Sequence, residues 1–73
     1  MVPPHVDERW NRLARNLKRL QAEKGVNQKQ FADFLGISAS YLCEIYAGVK
    51  TGERQVLNFA DRLGVTVEEL LGD

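Results

Sequence analysis

The sequence predicts an all-α domain of five short helices, and three observations carry that prediction. Apolar residues recur at helical spacing in successive segments, and no stretch reads as a strand. Gly25, Gly36, Gly48 and Gly64 fall just past the ends of four such segments, where a left-handed residue closes a helix. Asn27, Ser38 and Thr66 stand at the starts of three, where a side-chain oxygen caps the free backbone N–H groups. With 73 residues the chain has room for one small core. Residues 1–7 are expected to form an extended lead-in and residues 8–73 a single domain.

The lead-in MVPPH disfavours helix through its Pro pair until Asp7, which can cap the first helix; Met1 reads as a true start and His5 as solvated. From Glu8 to Lys24 the residues Trp10, Leu13, Ala14, Leu17 and Leu20 share one helical face, and Gly25 ends the segment. Trp10 reads as a core or interface residue. On the second helix Asn27 is the cap and Gln30, three residues on, completes a capping box, with Val26 and Phe31 as its hydrophobic staple. On the third, Ser38 is the cap and Ile37 and Leu42 form the staple. A fourth helix is expected from about Glu53 to Leu63 over Val56, Phe59, Ala60 and Leu63. Thr66 caps a fifth that carries Glu68 and Glu69 in its first turn, where the helix dipole favours acids.

The second and third helices are separated only by Gly36 and Ile37, so they must cross steeply, and Ala32 is small enough to let them touch. Phe31, Ala32 and Leu35 share one face of the former, and Leu42 and Ile45 one face of the latter. Neither helix could stand alone, because isolated helices below about 12–15 residues are marginal in water. Two mutually supporting capped helices at a Gly turn make a helix-turn-helix. The other reading is an ordinary αα-hairpin, which has no need of this Ala, this Gly and both staples together.

Five helices with this pair as the second and third resemble the phage repressor and Cro family of DNA-binding domains, the xenobiotic-response-element type, over about Leu13 to Leu71. The resemblance rests on Val26-Asn27-Gln28, Phe31-Ala32, Leu35-Gly36-Ile37-Ser38, Leu42, Ile45, Gly48 and the closing Ala60…Leu63-Gly64-Val65-Thr66…Leu70-Leu71. It implies a compact repressor-like domain that regulates transcription by binding operator DNA as a two-fold dimer, its third helix in the major groove. Carried over by position, Gln28 with Lys29, and Lys50, Thr51 and Arg54 in the loop after the third helix, would contact phosphates. Ala39, Ser40 and Glu44 would face bases, with Tyr41 and Cys43 at the flanks. No Arg, Lys, Gln or Asn stands among them, so Ala39 is left to pack on a thymine methyl, Ser40 to donate or accept, and Glu44 to accept from a cytosine amino group. Relatives often pair an Arg late in the first helix with a Glu at the end of the third. The matching positions here are Gln21 and Tyr46, which can hydrogen-bond without burying charge.

Charge distribution is as informative as the zero net charge. Residues 1–35 hold seven Lys and Arg against four Asp and Glu, and residues 36–73 hold three against six, so the chain is dipolar with an acidic C-terminal end. Nucleic-acid-binding domains usually carry a basic surplus, which this one lacks. The Arg12, Arg15 and Arg19 stripe reads first as a solvated face and second as an auxiliary phosphate patch or a surface for an acidic partner. Val65, Val67, Leu70 and Leu71 offer more apolar surface than one short helix buries, which makes them the expected dimer interface or, alternatively, a lid on the core. The lone Cys43 excludes an internal disulfide and suits a reducing cytoplasm, where the protein is expected on the nucleoid. No apolar run approaches the roughly 18 residues of a membrane span. Nothing resembles a nucleophile–base pair, a metal-ligand spacing or a phosphate loop, so neither an enzyme nor a cofactor is expected. The competing function is a protein-interaction module, antitoxin- or adapter-like, on the same scaffold. Ala39, Tyr41, Cys43 and Tyr46 would suit it, being small or aromatic and uncharged.

Overall fold

A computed structural model describes residues 8–72; the expected lead-in over residues 1–7, with Asp7 and His5, and the terminal Asp73 lie outside the described residues. The chain runs through α1 (Glu8–Lys24), α2 (Gln28–Leu35), α3 (Ala39–Tyr46), a 3-10 turn (Glu53–Gln55), α4 (Val56–Leu63) and α5 (Val67–Leu71), with no strand among the described residues. The all-α, five-helix expectation is met.

The caps form as the sequence predicts. Asn27 Oδ1 accepts from the Gln30 N–H at 2.7 Å, and Gln30 Oε1 accepts from the Asn27 N–H at 3.0 Å. Ser38 Oγ accepts from the Tyr41 N–H at 3.0 Å. Gly36 sits at φ 77°, and the Ile37 N–H returns to the Ala32 carbonyl at 3.0 Å, so the chain leaves α2 and starts α3 within three residues, the last of them the Ser38 cap. Gly25, Gly48 and Gly64 likewise have positive φ. Thr66 and Glu69 form a second reciprocal capping box, legible as T-x-x-E but not singled out in the sequence.

The fourth helix starts later than expected. Glu53–Gln55 wind as a 3-10 turn, and the α-helix begins only at Val56. Gly52, at φ 78° before that turn, has no side chain with which to cap a regular helix start.

Leu13 and Leu17 of α1, Phe31, Ala32 and Leu35 of α2, Leu42 and Ile45 of α3, Phe59 and Ala60 of α4 and Leu70 of α5 form the core. Helix α1 packs on α3 and α5, α2 on α3 and α4, and α4 on α5. Ala32 is fully buried on α2, the helix that packs on α3. Among the described residues one polar side chain, Asn16, lies inside with the apolar residues, and sequence reading passed over it.

Candidate nucleic-acid interface

Helix α3 is held from two sides. Leu42 and Ile45 fix its inner face to the core, and Tyr46 at its last turn donates its hydroxyl to Gln21 Oε1 at 2.8 Å. Gln21 Nε2 in turn donates to the Val26 carbonyl at 3.3 Å, at the threshold of α2. A single neutral side chain therefore ties the end of α1, the approach to α2 and the exit of α3, the Gln–Tyr contact anticipated in place of an ion pair. Burial pushes the Tyr46 hydroxyl up from 10.0 to about 12. The Lys18 ammonium lies 5.4 Å from the centre of the same ring.

With its inner face fixed, α3 turns Ala39, Ser40 and Cys43 outward, all exposed, while Tyr41 and Glu44 are half-buried. The Cys43 thiol is free.

The loop after α3 is pinned rather than loose. Backbone N–H groups of Val49 and Lys50 donate to the Glu44 carbonyl at 2.9 and 3.2 Å. Buried Gly52 then brings the chain against Leu13 and Ile45 so closely that a Cβ there would stand 3.3 Å and 3.2 Å from their methyl groups. Thr51 Oγ1 accepts from the Glu53 N–H at 3.2 Å. Lys50, Thr51 and Arg54 thereby line one cleft of about 280 Å³ together with Tyr41, Gly52 and Glu53. The side chains of Lys50 and Arg54 find no ion pair or hydrogen-bond acceptor among the described residues. Three of the five expected phosphate contacts are thus brought together.

Gln28 and Lys29 stand apart from that cleft at the start of α2, where the Asn27 cap satisfies Gln30 and Phe31 and leaves the N–H groups of Gln28 and Lys29 open. Lys29 reaches Asp33 at 3.6 Å, but both side chains are more than two-thirds exposed. Such a surface pair is too weak to hold Lys29 back from a phosphate.

A family model described as a helix-turn-helix domain matches residues 12–71. The chain belongs to the helix-turn-helix domain family. Searches of curated proteins and of solved structures found no match.

Elsewhere in the helix-turn-helix domain, two expectations change. The arginine stripe is solvated only in part: Arg19 is exposed, with a surface pair to Glu23 at 3.0 Å, but half-buried Arg12 donates Nε to the Leu71 carbonyl at 2.6 Å. Leu70, expected at a dimer surface, is 1% exposed and belongs to the core of the single chain; Val65, Val67 and Leu71 are half-buried against it. Among the described residues, the large apolar side chains that do face outward are Phe34, Val49 and Leu57, the last 73% exposed. Sequence reading missed Leu57 because it lies off the Val56–Phe59–Ala60–Leu63 stripe. Among the described residues there is no group of three potential metal ligands, and no helix is long and apolar enough to cross a membrane.

Proposed function

We propose that this helix-turn-helix domain is a sequence-specific DNA-binding transcriptional regulator of the phage repressor/Cro type, non-catalytic and acting in the cytoplasm on the nucleoid. It binds operator DNA as a homodimer, with α3 in the major groove of each half-site. The observation that carries this is the cleft beside α3. Two cations without internal partners are pinned by a core-anchored loop next to the helix whose outer face is free. A duplex lying along α3 would set a phosphate into that cleft, while Gln28, Lys29 and their open N–H groups take another at the start of α2.

Base discrimination rests on short side chains. Ala39 packs on a thymine methyl, Ser40 hydrogen-bonds either edge, and Glu44 accepts from a cytosine amino group, with Cys43 beside them. In this reading the dimer surface is drawn from Val65, Val67 and Leu71, with Leu70 supporting it from within.

Selection of bound fragments from random duplex DNA tests the proposal. The expected result is an enriched two-fold site whose half-sites lie about one helical turn apart. An unenriched pool at low salt would replace it with the protein-interaction reading, which the uncharged Ala39–Cys43 face and exposed Phe34 would then serve.

A further inference from the structure

Tyr41 sits at the third position of α3, and by position alone it flanks the bases. Its surroundings point elsewhere. The ring is half-buried and packs against the core, so its place is fixed by the fold rather than by a partner. The same residue forms a wall of the cleft otherwise built by Lys50, Thr51, Gly52, Glu53 and Arg54. Among the described residues its hydroxyl has no hydrogen-bond partner; the only bond at Tyr41 from outside α3 is between its backbone N–H and Ser38 Oγ. A tyrosine that shares a cleft with a lysine and an arginine, all three side chains without internal acceptors among the described residues, supplies with them a set of donors suited to one anion.

We propose that Tyr41 is a backbone contact: its hydroxyl donates to the DNA phosphate that Lys50 and Arg54 neutralise, and it reads no base. The inference rests on the DNA-binding reading and goes beyond it. One phosphate would be gripped jointly by the reading helix and by the loop after it. Because Tyr41 and Gly52 are both seated on the core, the phosphate position fixes how α3 lies in the groove. That would help a helix without Arg, Lys, Gln or Asn on its outer face to hold one register on the duplex.

Tyr41→Phe keeps the ring and its packing and removes only the hydroxyl, so the variant is expected to fold. With the selected operator as probe, affinity should fall by about three- to tenfold, uniformly across single-base variants of the site. Replacing operator phosphates one at a time by uncharged methylphosphonates should then reveal one position whose replacement weakens the unaltered protein but weakens Tyr41→Phe much less. Lys50→Ala should show the same insensitivity at the same phosphate. A changed base preference in Tyr41→Phe at a single position would overturn the inference in favour of a base contact. Unchanged affinity would reduce Tyr41 to a packing residue. If the unaltered protein binds no duplex at all, the DNA-binding reading itself falls, and this inference with it.

Discussion

Asn16 occupies a position on the apolar face of α1 between Leu13 and Leu17, where a hydrophobic residue would be the default. It is 5% exposed, and its Nδ2 donates to the carbonyls of Leu70 and Gly72 at 2.8 Å each, with Glu69 at 3.3 Å. A five-residue helix cannot satisfy its own last carbonyls, and α1 does so through Asn16 and Arg12. Asn16→Ala should therefore destabilise the domain by about 2 kcal/mol, since it strands buried acceptors as well as removing bonds. Asn16→Asp should cost more at neutral pH, because a carboxylate would face those same carbonyls. Urea denaturation of the two variants checks both the size and the order.

Tyr46 gives a pH-dependent counterpart. Burial raises its pKa in the folded state, and donation to Gln21 favours the neutral form too, so the unfolded chain ionises first as pH rises. The resulting stabilisation is fully present below about pH 10 and is lost as pH rises through about 12. Relative to Tyr46→Phe, the unaltered protein should lose stability over that window and not below it, which paired thermal melts at several pH values would show.

Among the elements, the loop between α3 and α4 differs most from what its sequence suggested. The helix ends were legible because each is written locally: Asn27 with Gln30, Ser38, Thr66 and four glycines encode caps within three or four residues. The core faces of α1 to α4 were legible for the same reason, as a periodicity. What the sequence did not disclose depends on contacts far along the chain. Asn16 makes sense only beside residues more than 50 positions away, and Gly52 only against Leu13 and Ile45. The site shows the same division. Lys50, Thr51 and Arg54 were placed by position in the motif, whereas the grouping of Tyr41 with them comes from how Gly52 folds the loop back.

A pair of glycine substitutions tests whether the loop is seated in this way. Gly52→Ala would meet both a left-handed backbone and the methyl groups of Leu13 and Ile45 at 3.2–3.3 Å. Gly64→Ala would meet only the backbone cost, since nothing lies within 4 Å of a Cβ there. The Gly64 variant should lose about 1 kcal/mol, and the Gly52 variant roughly twice that or more. The Gly52 variant should also weaken DNA binding at temperatures where it remains folded, because Lys50 and Arg54 would move with the loop. Equal stability losses in the two variants would show that the loop is not seated on the core.

For the molecule as a whole, zero net charge means that in the proposed DNA-binding mode affinity must come from where the cations stand rather than from a general positive field. Arg12 of α1 is held by the Leu71 carbonyl at the end of α5, Arg19 makes only an exposed pair with Glu23, and Lys24 lies over the Phe34 ring at 4.5 Å. Lys29, Lys50 and Arg54 are the cations that the proposed mode sets on phosphates. Each neutralised phosphate contributes a slope of about −0.9 to the logarithm of affinity against the logarithm of salt. Two such phosphates, one at the start of α2 and one in the cleft, give about −2 for a single copy, and a two-fold dimer on two half-sites gives about −4. The slope thus reports stoichiometry and contact set together. Replacing both Lys50 and Arg54 by Ala, which empties the cleft of cations, should flatten it by about 1 if one copy binds and by about 2 if two do, with the enriched sequence unchanged. Val67→Asp, placed at the proposed dimer surface and away from the cleft, should move the slope from the dimer value towards the single-copy value and leave the increment of the Lys50 and Arg54 double replacement at about 1. A dimer slope that survives Val67→Asp but collapses in Leu57→Asp would instead assign the contact between copies to the exposed start of α4.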